Sequence, residues 1–323
     1  MGNSIVEMGY KKAQPENNRR KAFFNMLKKD IIKNKYVYIM AIPVVVYYII
    51  FDYWPMYGVQ IAFKDFNPTE GIMGGDWVGF KHFLSFFNGH YFGRVVRNTL
   101  IINLYDLIWG FPAPIALALL LNEVYNKSFK KLIQTVIYMP HFISGIVVAG
   151  IIISFSARNG FINDIIEMFG GTRANLLMRP ELFRTIYTGS KIWQGVGWGT
   201  IVYLAALSGV DVQLYEACII DGGNRWKQMA HITLPSIMPT IVTLLILNIG
   251  KLMSEGAGRI ILIYNPLTYE TADIISSYVY RRGLQEFDYS FSTAVNLLST
   301  VLNFLLLISA NWMSRKVNET SLW

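Results

Sequence analysis

The sequence predicts an all-α, polytopic membrane protein with six transmembrane helices and both termini in the cytoplasm. Three observations carry that prediction. Of 323 residues, 53% are hydrophobic and only 15% charged, with a mean hydropathy of +0.34, whereas a soluble domain carries about 25% charged residues. Apolar runs of roughly 18–24 residues recur along the chain, against the about 20 that a helix needs to cross a bilayer. Nine of the 29 lysines and arginines precede residue 36, beside the first run, which is the signal for a cytoplasmic N-terminus. The net charge of +8 therefore reads as membrane topology, and no nucleic-acid partner is expected.

Taken in order, residues 1–17 are polar. From Asn18 to Lys35, Arg19, Arg20, Lys21, Lys28, Lys29 and Lys33 alternate with Phe23, Leu27 and Ile31 at helical spacing. That pattern suits an interfacial helix on membrane lipid, although a plain basic tail explains the same residues. The first apolar run ends in the bulky Phe51-Asp52-Tyr53-Trp54-Pro55 with no small-residue cleavage site, so it is expected to stay as an anchor. The predicted spans are 36–54, 99–121, 132–155, 185–208, 236–253 and 291–313. They divide the chain into a basic tail (1–35), a six-helix membrane domain (36–316) and a short C-terminal tail (317–323). Segments expected inside hold 16 Lys and Arg against 11 in the longer outside segments, with Lys191 and Lys251 left within spans. Outside, Tyr264-Asn265-Pro266-Leu267 reads as a turn and Thr271 to Leu284 as a short amphipathic helix.

Several chemistries are missing. No nucleotide-binding loop of the form G-x-x-x-x-G-K-S/T is found: Gly250-Lys251 has Leu245 at the first glycine position and Leu252 after the lysine. There is no H-E-x-x-H, no G-x-S-x-G, and no close carboxylate pair within a span. The single cysteine, Cys218, excludes an internal disulfide, and His82, His90, His141 and His231 lack metal-ligand spacing. Asp106 is the one acid well inside a span, which is little for an ion-coupled carrier.

The stretch 209–235 stands apart. Between two apolar runs, on the cytoplasmic side by span parity, it carries Glu216, Asp221, Arg225, Lys227 and His231. Glu216-Ala217 and Trp226 to Ala230 favour helix, while Asp221-Gly222-Gly223-Asn224 is turn chemistry. The reading is helix, sharp turn, helix: a knob for a groove on a partner. Its residues resemble the EAA motif of ABC importer permeases, with Glu216, Ala217, Asp221, Gly222, Ile232, Leu234 and Pro235 in register and Cys218 in place of the second alanine. Lys130-Lys131 through Pro140-His141-Phe142-Ile143-Ser144, Tyr264-Asn265-Pro266, Tyr278 to Leu284 and Ala310 to Lys316 extend the likeness. They are similar to the LplB-like polysaccharide/oligosaccharide permeases of the maltose-type carbohydrate uptake family.

The resemblance implies a type I ABC importer permease fold in a bacterial cell membrane. It implies a second ABC permease subunit, a cytoplasmic ATPase dimer docked on the EAA loops, and an extracellular solute-binding lipoprotein delivering a carbohydrate substrate. The chain itself would be non-catalytic and hold no cofactor, ATP and Mg being bound by the partner ATPase. Glu216 would pair with a basic group of that partner, and Gly222 would permit the turn. Substrate contacts in related permeases flank the EAA loop, which points to Gln194, Gly195 and Trp198 before it and Asn248, Lys251 and Glu255 after it. Gln194 and Trp198 lie one helical turn apart, and Asn248, Lys251 and Glu255 follow at intervals of three and four, so each set shares a helix face.

Bland readings compete. Lys191 and Lys251 fall toward span ends, where lysine snorkels to the interface. Gly195 and Gly199 form a small-xxx-small pair that permits close packing, and His141 after Pro140 reads as a structural hydrogen-bonder. The other functional readings are the same machine with a non-sugar cargo, an ion-coupled carrier working alone, and a membrane enzyme acting on polysaccharide. The last would need paired acids, and Asp164 with Glu167 look like a solvated helix face.

Overall fold

The computed structural model of the chain describes residues 26, 28–254 and 256–318. Among them the structure is helical throughout, the only β feature being an isolated bridge between Lys64 and Trp77. Five helical runs are long and apolar enough to cross a membrane, and a sixth is a bent pair. The described chain divides after Val59 into two compact units.

In the first unit, α1 (Lys35–Tyr48) continues through a π-helical turn, Ile49–Tyr53. Every side chain from 28 to 57 is exposed. Leaving such apolar side chains in water would cost about 1.5–3 kcal/mol each, so hydrocarbon is the solvent this helix fits. Of the expected interfacial helix, 28–33 is helical and exposed, Asn34 is a turn and Lys35 begins α1; the part before residue 28 lies outside the described residues apart from Met26, as does most of the C-terminal tail.

The second unit opens with a loop pinned by a buried cation. Lys64, 3% exposed, donates to the Met73 carbonyl at 3.0 Å and lies 5.2 Å from the Trp77 ring centre. A short helix, α2 (Lys81–Phe87), leads to α3 (Phe92–Tyr105). A π-helical turn, Asp106–Gly110, joins α3 to α4 (Pro112–Asn122) as one apolar run.

The expected third span is not a single helix. It divides into α5 (Lys127–Tyr138), a 3-10 turn at Met139–Phe142, and α6 (Gly145–Ser156). Pro140 breaks the ladder, and the Ser144 hydroxyl accepts from the Val147 N–H to start a new helix. Alone, α6 spans about 18 Å, short of the roughly 30 Å hydrocarbon core. The chain then turns into α7 (Phe161–Met168).

Helix α8 (Pro180–Ser208) is central, packing on α3, α4, α5 and α6. Gly197 lies against the Ile137 carbonyl and Gly199 against the Pro114 ring, so these two glycines make the close approaches. After α8 come α9 (Val212–Ile220), α10 (Arg225–Gln228) and α11 (Leu234–Ile249). Helix α11 stops at Ile249 with Gly250 as its cap; Lys251 therefore sits in the following turn, past the helix, although the span drawn from hydropathy (236–253) included it. Then follow α12 (Ala257–Ile263), α13 (Ile275–Tyr280) and α14 (Tyr289–Asn318). The expected turn at 264–267 is present, its Asn265 side chain accepting from the Leu267 N–H. The expected helix at 271–284 is realised as α13 plus a π-helical turn, Arg281–Gln285.

A buried polar hub holds this last region. Asp273 is 0% exposed and pairs with Arg94 at 3.0 Å and with Arg281 at 2.7 Å. Asn98 on α3 donates to the Glu270 and Asp273 carbonyls, and Arg184 on α8 donates to Asn98. Ile102, Ala149, Phe183 and Ile260 make the apolar core beside it.

Candidate functional site

Two places answer to the sequence reading: a knob between α8 and α11, and a cavity among α3, α4, α8 and α11.

The knob begins where α8 bends into α9 by 71°. Asp211 caps α9, its carboxylate accepting from the Gln213 N–H at 2.9 Å. The far end of α9 closes with the Gly223 N–H donating to Cys218 O at 2.7 Å and the Gly222 N–H to Ile219 O at 3.0 Å. This double closure is a Schellman motif, which needs a left-handed residue after the C-cap Asp221. Gly222 supplies it with φ +74°. Asn224 caps α10 by accepting from the Lys227 N–H at 3.0 Å, and a π-helical turn, Met229–Thr233, feeds α11.

Both arms are cross-tied. The Tyr215 hydroxyl lies 3.0 Å from Thr233 Oγ1, and Thr233 is buried. Arg225 reaches Glu123 at 3.7 Å and covers the Tyr125 ring at 4.8 Å, fastening the knob to the loop before α5. Ile232 and Leu234 are half-buried in the knob's base. Glu216, Ala217, Asp221 and Pro235 are exposed, as are Ile219, Ile220 at 85% and Trp226 at 74%. The tip therefore presents apolar side chains edged with charge on a rigid double arm. Gly223, read from the sequence only as part of the turn, is constrained by space: a Cβ there would meet Cys218 Sγ at 2.3 Å.

The cavity has two adjoining lobes of about 320 and 170 Å³ that share Asp106, Phe111, Lys191 and Asn248. Gly195 lines the larger lobe and Lys251 the smaller. Lys191 Nζ pairs with Asp106 Oδ2 at 3.2 Å. Lys191 is thus directed into the protein, not snorkelled to an interface, because a carboxylate on the neighbouring span faces it. Asn248 spends its amide N–H on Leu244 O of its own helix. Among the described residues Lys251 makes no ion pair.

Gln194 and Trp198 go elsewhere, together. Gln194 donates to Ile143 O at 2.8 Å and accepts from Arg259. The Trp198 ring stacks on His141 with centres 4.4 Å apart and planes 4° from parallel. Both side chains brace the break at Met139–Ser144, where unwound backbone needs partners within the membrane. Glu255 lies outside the described residues. The sequence missed the Asp106–Lys191 pair. Opposite charges on two neighbouring spans were the available signal.

The model of the family described as "binding-protein-dependent transport system inner membrane component" matches residues 110–319. The chain is 43% identical to the polygalacturonan/rhamnogalacturonan transport system permease protein YteP of Bacillus subtilis, over 91% of this chain and 92% of that one. It is 43% identical to protein LplB of the same organism, over 92% of each chain. Among solved structures it superposes, with a TM-score of 0.83 and 42% identity, on a chain of a bacterial ABC transporter involved in the import of the acidic polysaccharide alginate, covering 91% of this chain and 99% of that one. A second structure of an alginate ABC transporter, in complex with an alginate pentasaccharide-bound periplasmic protein, matches with a TM-score of 0.83 at 41% identity, over 91% of this chain and 99% of that one.

Proposed function

The chain belongs to the family of binding-protein-dependent transport system inner membrane components, and from that premise we propose that it is the permease subunit of an ATP-driven importer of oligosaccharides or polysaccharide fragments. A second permease completes the path, two cytoplasmic ATPase subunits bind ATP and Mg, and an extracellular binding lipoprotein delivers the sugar. The names of the relatives, polygalacturonan/rhamnogalacturonan and alginate among them, support a polysaccharide cargo. The basic N-terminus supports a knob on the cytoplasmic side.

The observation that carries the proposal is the build of the knob. Closure of an ATPase pair must be delivered to the spans as a displacement, and a floppy loop would absorb it. Here the Schellman turn, two capped helices, the Tyr215–Thr233 bond and the Arg225 clamp leave a stiff element continuous with α8 and α11. Ile219, Ile220 and Trp226 offer the apolar anchor that a groove needs, and Glu216 offers a charge at its edge.

Two variants test this, measured by co-purification of the ATPase and by ATP-driven sugar uptake. Gly222→Val forces a β-branched residue to φ +74° and should abolish both. Ile220→Asp changes only an exposed tip residue, so the chain should fold and insert normally while ATPase capture falls at least tenfold. Full capture and uptake by both variants would refute docking through this loop. An ion-coupled carrier working alone is disfavoured, because the intramembrane acid Asp106 is already neutralised by Lys191.

A further inference from the structure

The Asp106–Lys191 pair is in an expensive position, since charges within a membrane domain are tolerated chiefly where they face a cavity or do work. A pair serving only to join helices could be replaced by apolar packing without loss. Here the contact between α4 and α8 is already made by Gly199 on Pro114. The pair instead lines both lobes of the cavity.

Backbone geometry fixes the carboxylate there. Asp106 opens the π-helical turn, and a turn of this kind inside a helix is frequently a functional device. A Cβ at Gly110 would lie 2.4 Å from Asp106 Oδ1, so the carboxylate occupies the room left by a missing side chain. Lys251, in the turn after α11, brings a second ammonium to the smaller lobe with no carboxylate of its own among the described residues. Among the described lining residues the charged groups are therefore two cations and one anion.

We propose that this cavity is a charge-selective station for anionic sugars, in which Lys251 and Lys191 take one uronate carboxylate of the passing chain. Asp106 competes for Lys191 and keeps the hold weak. A conducting site must bind strongly enough to admit its cargo and weakly enough to release it. Two lysines alone would trap a polyanion; the internal carboxylate returns Lys191 to its resting partner as the sugar moves on. The inference rests on the sugar-importer reading and adds to it the charge of the cargo.

The test is uptake by cells producing the complete transporter, with cells lacking this chain as control. The probes are galacturonate and mannuronate trisaccharides, their methyl esters, and maltotriose. Expected is import of one or both acids, with esters and maltotriose at least tenfold slower. Esters or maltotriose entering as fast as the acids would overturn the inference while leaving the importer reading standing. Import of none of the probes would overturn the sugar reading and this inference together. For an imported acid, Lys251→Met should raise KM at least tenfold. Asp106→Asn should lower KM and kcat together, the mark of cargo held too long. If both variants leave KM unchanged and Asp106→Asn only lowers the amount of protein in the membrane, the pair is structural and the inference fails.

Discussion

A β-carbon added at Gly197 would lie 2.0 Å from the Ile137 carbonyl oxygen, whereas one added at Gly195, two residues earlier on α8, would meet nothing within 4 Å. The two substitutions should therefore differ in sign. Gly197→Ala must push α5 off α8 and should cost about 1–3 kcal/mol, as overpacking does. Gly195→Ala removes backbone freedom from a helix interior and should raise stability by about 0.5–1 kcal/mol. Thermal unfolding of the assembled transporter in detergent would read both. The sequence shows three glycines at alternate positions of one helix and points to the pair Gly195 and Gly199 at small-xxx-small spacing. Which of them touches a neighbour depends on where the helix at 127–138 lies, and no spacing within α8 carries that information. The turn at Gly222 is the opposite case, because its left-handed φ follows from a helix that must end where two glycines stand.

At the scale of elements, two devices hold the connecting segments, and each predicts a different response. Asp273, buried between Arg94 and Arg281, fixes α13 against α3. Asp273→Ala leaves two guanidinium groups facing a buried void and should cost about 3–5 kcal/mol, seen as a loss of folded protein in the membrane. The loop 64–87, pinned by the buried Lys64, is held at its surface by exposed charge. A hydrogen bond from Lys81, with the nearby His82, holds the Asp65 carboxyl below its ordinary value of 3.8. A depressed carboxyl stabilises the folded loop above its unfolded value and loses that contribution as pH falls through the lower, folded one. Amide exchange of 64–87 should thus be flat from pH 7 to about 5 and rise only below about pH 4. The spans themselves were legible because hydropathy follows from composition. The break at Met139–Ser144 was not, although Pro140 announced it. Hydropathy is blind to backbone direction, and the partners that make the break tolerable, Gln194 and the stacked Trp198, come from a helix some fifty residues on.

For the whole molecule, the knob was the most legible feature because its structure is local: caps, turn and exposed tip all lie within 211–235. The cavity was the least, since it is assembled from α3, α4, α8 and α11 and no segment carries its signature alone. Gly195, Asn248 and Lys251 reach it, but the pair at its centre needed the third dimension to be seen. The same distinction predicts the outcome of exchanges. Transplanting 211–235 from a relative should preserve cargo preference while changing which ATPase co-purifies.

One property of α8 follows from its length. It runs unbroken from Pro180 to Ser208, carries Lys191 part-way along, and turns into the knob at its end. About 17 residues separate Lys191 from the bend, a reach of roughly 25 Å at 1.5 Å per residue. Helix α8 is thus a lever with the knob as its handle, and a tilt of only a few degrees at the handle carries the ammonium roughly 1–2 Å, on that same reach. Against a resting separation of 3.2 Å from Asp106, such a stroke decides between a closed ion pair and an open one. Distance measurements between spin labels at the ends of α8 and α4, with and without ATP, should then show the two helices pivoting as rods; bending of α8 would refute the lever. If they pivot, the nucleotide state of a distant subunit is written, through gearing alone, into whether one ion pair is closed.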